Sequence, residues 1–328
     1  MGEFDLIARY FTRPGPQGRS VALGVGDDCA LLQPAPGMQL AVSSDMLVEG
    51  RHFFPDVYPP HLGHKALAVN LSDLAACGAR PLAFTLALSL PRVDESWLQG
   101  FAEGLFALAD AHGCALVGGD TTQGPLNLCI TVFGEVPAGQ ALLRSGARAG
   151  DDIWVSGTPG EARLALDALR GQLQASAEVL TALRQRLERP TPRVPLGRRL
   201  AGLASSAIDV SDGLLGDLSH ILSASRVGAT IKADEAINLL AASACLTGAG
   251  GCFDHNLLMR CALAGGDDYE LAFTAPPEQR PAVLEASRRS DTQVTRIGRI
   301  EAAPGLRLVD GAGRPVQGRF PSFDHFAA

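Results

Sequence analysis

The chain has 328 residues, 46% of them apolar and only 19% charged, with a formal net charge of -7. That length and apolar content suffice for the packed cores of about two domains and exclude a disordered protein. The acidic balance argues against nucleic acid as a partner, and no apolar run reaches the ~20 residues of a membrane span.

An acidic protein that takes anionic substrates needs local cations or metal ions to do so. The opening MGEFDLIARYF carries Glu3 and Asp5 where a secretory signal would be basic, so a cytoplasmic location is expected. Seven cysteines without a CxxC pair read as small buried thiols in a reducing compartment.

Taken in chain order, Leu40 to Ser44 reads as a buried strand that ends at Asp45. His61 to Gly78 carries Leu67, Leu71 and Leu74 at helical spacing, with Gly78 as its stop. Leu82 to Leu90 is strand-like. Trp97 to His112 is helical, with Leu98, Phe101, Leu105 and Leu108 on one stripe. Ala115 to Val117 leads into Gly118-Gly119-Asp120, and Leu126 to Val136 is another strand.

Pro137 to Gly150 holds a proline, three glycines and the charged Arg144 and Arg148, and is the best boundary. It divides the chain into an N-terminal domain (1–137), a linker (138–150) and a C-terminal domain (151–328). Beyond it, Asp152 to Ser156, Ala207 to Asp209 and Tyr269 to Thr274 read as strands. Glu161 to Leu169 and Leu214 to Ser225 read as helices, and Ala262 to Gly266 ends in a loop. The expected fold class is mixed α/β in two domains.

The chemistry is carried by aspartates in small-residue company: Gly26-Asp27-Asp28, Ser43-Ser44-Asp45, Ser72-Asp73, Gly119-Asp120-Thr121, Asp209-Val210-Ser211-Asp212-Gly213 and Gly266-Asp267-Asp268. Several follow an apolar run, which predicts a position at the carboxyl end of a strand, where open α/β sheets bind ligands. Each alone has a plain explanation as a helix cap or a turn. Six together in one cleft would repel one another, and hard divalent cations relieve such repulsion. The pattern points to Mg²⁺ and a polyphosphate such as ATP.

There is no GxxxxGK[ST], no complete GxGxxG, no HRD or DFG, no HExxH and no GxSxG. Arg144 could hold a phosphate or lie solvated on the surface. His52 could touch a substrate or serve as a hydrogen-bonded structural residue. Lys65 reads as part of a solvated helix face or a helix-local ion pair, and Phe323 as either core or an aromatic platform.

In order, GEFDLI (2–7), GVGDDCAL (24–31), SSDMLVEGRHF (43–53), KALAVNLSDLAACGA (65–79), GGDTTQGP (118–125), RSGARAGD (144–151), IDVSDGL (208–214), GGDDYEL (265–271) and FDHF (323–326) resemble the thiamine-monophosphate kinases. The resemblance spans nearly the whole chain, and the ordered set is far more specific than any one piece. It implies the two-domain aminoimidazole ribonucleotide synthetase-like fold and a homodimer formed through the N-terminal domains. It also implies direct, magnesium-dependent transfer of the γ-phosphoryl of ATP to thiamine monophosphate.

Position by position, Asp28, Ser43, Ser44, Asp45, Asp73, Asp120, Asp209 and Asp212 match magnesium-site residues. Gly119, Asp120, Arg144 and Ser211 match ATP contacts, and His52, Asp267 and Phe323 match substrate contacts. Asp45, Asp73, Asp120 and Asp212 are expected to carry the catalysis. The family generally has Glu at the position of Asp267 and Tyr or Trp at that of Phe323, which bears on affinity more than on identity. Two alternatives share the acidic pattern: another ATP-dependent enzyme of the same architecture, of the aminoimidazole ribonucleotide or selenophosphate synthetase type, and a non-catalytic nucleotide- or metal-binding module.

Overall fold

The computed structural model describes residues 2–13, 20–241, 253–318 and 320–323. The chain forms two compact units, residues 1–74 with 79–140 and residues 75–78 with 141–328.

The N-terminal unit begins with a short helix, α1 (Glu3–Leu6), and a π-helical turn, Ile7–Phe11. Two short strands, β1 (Val21–Leu23) and β2 (Leu31–Leu32), pair antiparallel. The main sheet has four strands in the order β3 (Met38–Val48), β6 (Asn127–Pro137), β4 (Arg80–Leu90), β5 (Ala115–Gln123). The β3–β6 and β6–β4 pairs are antiparallel, and β4–β5 is parallel. A parallel pair needs a crossover, here α3 (Glu95–His112).

The start of α3 is set by Asp94, whose carboxylate accepts from the backbone N–H of Ser96 and Trp97, and its end by Gly113 in the left-handed region. Its stripe Leu98, Phe101 and Leu105 is fully buried, as the helical spacing predicts.

The preceding helix, α2 (Pro59–Ala76), is buried on more than one face, Asn70 and Ser72 included. Lys65 corrects the expectation of a solvated face: it is 3% exposed, and its Nζ donates to the His52 carbonyl at 3.3 Å. Along β3 the pleat alternates sides, and Leu40, Val42, Met46 and Val48 leave an apolar row exposed.

The C-terminal unit holds a six-stranded sheet. Its order is β12 (Gly305–Val309), β9 (Gly228–Lys232), β11 (Val294–Glu301), β7 (Asp152–Ser156), β10 (Glu270–Ala275), β8 (Ser206–Val210). All neighbours are antiparallel except β12–β9. The strands β7, β10 and β8 are buried at every residue, which accounts for their continuous apolar runs.

Among the described residues the unit also holds the α-helices α4 (Glu161–Leu169), α5 (Ala177–Glu188), α6 (Val194–Leu200), α7 (Leu214–Ser225), α8 (Ala233–Ala241), α9 (His255–Ala264) and α10 (Arg280–Arg289). Ala262 to Ala264, expected to run into a loop, form the last turn of α9.

A polar knot is buried in this unit. The Glu270 carboxylate, 1% exposed as a side chain, accepts from Arg193 Nε at 2.6 Å, Arg186 at 3.1 Å and the Ser156 hydroxyl at 2.5 Å. Burial pushes the carboxyl up, but the two guanidinium groups outweigh it and hold Glu270 below the usual carboxylate range.

The cysteines are more varied than expected. Cys114 and Cys261 are buried and Cys29 is exposed, while Cys245 and Cys252 lie outside the described residues. Among the described residues no helix is long and apolar enough to cross a membrane.

Candidate active site

In the N-terminal unit, β3 and α2 bring the first acidic group together. The Ser43 hydroxyl donates to the Asp73 carboxylate at 2.5 Å, and the Asp45 backbone N–H donates to Asn70 Oδ1 at 3.1 Å. Because Ser43 and Asp45 are two apart on a strand, both lie on the α2 side of the sheet.

Ser44 lies on the other side, where its hydroxyl donates to the Ile130 carbonyl and shares a hydrogen bond of 2.9 Å with Thr131. Asp120 belongs to that same side, since the register runs Met46, Cys129, Ala87, Asp120 across the sheet. The pleat therefore separates the candidate metal ligands of this unit into two groups.

These placements overturn the expectation of strand ends. Asp45 lies inside β3 and Asp120 inside β5, since both strands run on through polar residues. Asp73 lies in the last turn of α2, not at a helix start. None of the three is an N-cap, so the bland explanation fails for them. Gly119 does have a structural cause: at φ +150°, any Cβ would meet the Leu86 carbonyl at 1.9 Å.

Asp28 stands on an exposed turn, its N–H bonded to the Asp27 carboxylate at 2.8 Å. His52 accepts from the Val48 N–H through Nδ1 at 2.9 Å.

The C-terminal unit builds its part around the connection from β8 to α7. Asp209 is buried near the end of β8, and Ser211 and Asp212 follow in the loop. This pair alone meets the strand-end expectation. The backbone N–H groups of Ser211, Asp212 and Gly213 all donate to Asp217 Oδ2, at 3.0, 3.0 and 3.1 Å. Burial pushes the Asp217 carboxyl up to about 6, against the pull of those N–H groups.

The loop carbonyls accept in turn: Val210 from the Tyr269 N–H, Ser211 from the Asp267 N–H, and Asp212 from the Phe323 N–H, at 2.8, 2.8 and 3.0 Å. Asp267 and Tyr269 both have positive φ, 66° and 50°, and the Tyr269 hydroxyl donates to Asp267 Oδ1 at 3.2 Å. Positive φ at two such residues is uncommon and marks a constrained turn.

Phe323 is 49% exposed, so it is not core, while the Asp324–Phe326 part of FDHF lies outside the described residues. Arg144 is exposed, and its carbonyl accepts from the Ser225 hydroxyl.

Among the described residues no three His, Cys, Asp or Glu side chains converge to hold a metal ion by themselves. Mg²⁺ does not need that. It takes one or two carboxylates and completes its shell with substrate phosphates and water. The hydroxyl and carboxylate oxygens of Ser43 and Asp73, already within 2.5 Å of each other, are donors of the required hard kind.

Comparison with known proteins settles the kinship. Residues 26–136 match the AIR synthase related protein N-terminal domain, and residues 148–311 match its C-terminal domain. Thiamine-monophosphate kinase of Salmonella typhimurium is 48% identical over 99% of this chain and 98% of its own length. The chain belongs to the thiamine-monophosphate kinase family.

Two solved structures of the family share its fold. The thiamine-monophosphate kinase of Stenotrophomonas maltophilia K279a is 48% identical, with a TM-score of 0.81 over 93% of this chain and 94% of that one. AaThiL complexed with AMPPCP and TMP is 28% identical, with a TM-score of 0.74 over 90% and 89%.

In this thiamine-monophosphate kinase family member, three groups around the site escape sequence reasoning. Asn70 and Tyr269 sit inside quoted motifs without drawing notice, and Asp217 is one of many acids in a first helical turn. Only the spacing Asp212-x-x-x-x-Asp217, from loop to helix start, could have suggested the last.

Proposed function

We propose that this chain transfers the γ-phosphoryl group of ATP directly to thiamine monophosphate, giving thiamine diphosphate and ADP in the cytoplasm. The observation that carries this reading is the ordered retention of every acidic cluster in a chain 48% identical over its length to a thiamine-monophosphate kinase.

An oxygen of the substrate phosphate attacks the γ-phosphorus, and the bond from that phosphorus to the ADP oxygen breaks. The nucleophile is already an oxyanion, so no side chain has to remove a proton. Such a transfer asks for alignment and charge neutralisation rather than covalent help.

We assign Asp28, Ser43, Ser44, Asp45, Asp73 and Asp120 of the N-terminal unit, and separately Asp209 and Asp212 of the C-terminal unit, as residues that would hold Mg²⁺. Bound there, Mg²⁺ supplies the positive charge that lets two phosphate groups approach. The Ser43 hydroxyl, bonded to Asp73, holds that carboxylate in one orientation. We assign Gly119, Asp120, Arg144 and Ser211 to ATP, and His52, Asp267 and Phe323 to thiamine monophosphate. Phe323 offers a half-exposed ring face to the cationic thiazolium. The Tyr269 hydroxyl orients the Asp267 carboxylate.

We also assign a homodimer, supported by the exposed apolar row Leu40, Val42, Met46 and Val48 on β3, an edge strand.

The test is direct. Purified protein with Mg-ATP and thiamine monophosphate is expected to yield thiamine diphosphate and ADP in equal amounts, with free thiamine a poor acceptor. Turnover of another acceptor but not of thiamine monophosphate would favour a synthetase of the same architecture. ATP bound without turnover would favour a binding module.

A further inference from the structure

Asp217 is 3% exposed and lies in the first turn of α7, five residues beyond Asp212. A carboxylate in the first turn of a helix ordinarily faces solvent. Instead a single oxygen, Oδ2, receives three consecutive backbone N–H groups, those of Ser211, Asp212 and Gly213.

The opposite edge of the same loop is equally engaged. The Ser211 carbonyl accepts from the Asp267 N–H and the Asp212 carbonyl from the Phe323 N–H, while Asp217 holds the N–H groups of Ser211, Asp212 and Gly213. The loop packs closely against its neighbours at two glycines. A Cβ on Gly213 would meet the Ala264 backbone at 2.9 Å, and one on Gly266 would meet the Ser211 carbonyl at 2.5 Å.

We propose that Asp217 is a positioning residue that sets both halves of the C-terminal site at once, by clamping the Ser211–Gly213 loop through three N–H groups. This rests on the assignment of Ser211 and Asp212 to Mg-ATP and of Asp267 and Phe323 to thiamine monophosphate. Asp217 touches neither ligand in this account. It fixes the loop, the loop presents Ser211 and Asp212, and the loop carbonyls fix the backbone of Asp267 and Phe323. Loosening the clamp therefore weakens two ligands that share no common group. Loss of a side chain belonging to one ligand would weaken only that one.

The experiment compares Asp217→Asn with Asp217→Leu. Asn keeps an acceptor oxygen for the three N–H groups and lacks the charge, and Leu keeps the volume and lacks the acceptor. Asp217→Leu is expected to raise KM for Mg-ATP and for thiamine monophosphate together. It should lower kcat/KM by on the order of 100-fold, the cost of misplacing a site by about 1 Å. Asp217→Asn is expected to recover most of that loss. Should the Leu variant not fold, Asp217→Ser replaces it, since its hydroxyl is one bond too short to reach all three donors.

Normal KM values in the folded fraction of the Leu or Ser variant would overturn the proposal, leaving Asp217 a stabilising residue only. Equal damage in Asp217→Asn would also overturn it, because the charge would then be what matters. The wild-type enzyme separates this from the kinase assignment itself. If it fails to turn over thiamine monophosphate, the rise in Tm produced by Mg-ATP still reads the clamp. That rise should be kept in Asp217→Asn and lost in Asp217→Leu, and its retention in the Leu variant would overturn the proposal.

Discussion

The Ser43 hydroxyl donates to the Asp73 carboxylate at 2.5 Å, tying the middle of β3 to the last turn of α2. The contact sets the side from which that carboxylate can be approached. Since Asp73 is neither a cap nor a turn residue, its replacement is expected to show in the chemistry. Asp73→Asn and Asp45→Asn should each lower kcat by ~100-fold or more, the loss that accompanies removal of a major electrostatic contribution. Steady-state rates across a magnesium titration check this, and a wild-type rate with unchanged magnesium dependence in either variant would refute its ligand role.

Phe323 is half-exposed, so its ring can be removed without opening a core cavity. Phe323→Ala should raise KM for thiamine monophosphate by about 5- to 30-fold, from a cation–π contribution of about 1–2 kcal/mol. KM for ATP and the melting temperature should stay nearly unchanged. A drop in Tm with normal KM values would return Phe323 to a packing role.

Glu270 is the partner of two arginines in the buried knot. Glu270→Leu leaves Arg193 without its carboxylate and Arg186 with Glu161 alone, and should destabilise the protein by about 3–5 kcal/mol in urea unfolding. The pH dependence has a definite sign. A carboxyl held below its ordinary value contributes stability that is complete above about pH 4.3, the unfolded value. That contribution disappears as pH falls through the folded value. Asp152 behaves alike: burial raises its carboxyl, and Arg280 and Arg296 together bring it below the usual range. Stability should therefore fall on the acid side of pH 4, less steeply in Glu270→Gln. An unchanged slope in that variant would count against the ion pairs.

The thiols offer a simple mapping test. Burial pushes Cys114 and Cys261 up to about 12, so neither is a thiolate at pH 8. Alkylation with iodoacetamide, read by peptide mass spectrometry, should modify exposed Cys29 well before either of them in native protein. Prompt labelling of Cys114 would mean that the N-terminal unit opens readily.

The apolar row on β3 predicts the response of assembly to charge. Wild-type protein should scatter light as about twice 34.2 kDa, and Val42→Glu combined with Met46→Glu should give the single-chain mass. A wild-type protein that stays at the single-chain mass at all concentrations would remove the dimer and leave the phosphoryl transfer untouched.

Much of the architecture was legible from the residues. Helix α7 and helix α4 follow the apolar period closely, and β7 is a run of buried residues between turn signals. The two strand boundaries that went astray in the N-terminal unit have one cause. Ser43-Ser44-Asp45 and Gly118-Gly119-Asp120 look like strand endings because they are polar or small, yet β3 and β5 pass through them. Pairing with β6 and β4 supplies hydrogen bonds that the local composition does not advertise.

The site residues were legible as types, since carboxylates among Gly and Ser have few other uses in such number. What holds them was not. Lys65 looks like a surface lysine until α2 is enclosed, and Asp217 like any first-turn acid until its oxygen is found turned back on the loop.

The order of strands in the N-terminal sheet carries a consequence for synthesis. The neighbour of β3 is β6, so Asp45 pairs with Ile130 and Ser43 with Val132. On the ribosome, β3 emerges early and has no strand to join until β4, α3 and β5 have followed it out. The loop that must close is long, and pairing over such separations is slow. A chain released before Asn127 would contain every N-terminal candidate ligand from Asp28 to Asp120 and still lack the strand that sets β3 in place. Metal binding by this unit should therefore serve as a reporter of completed translation of the domain, appearing only when β6 is made.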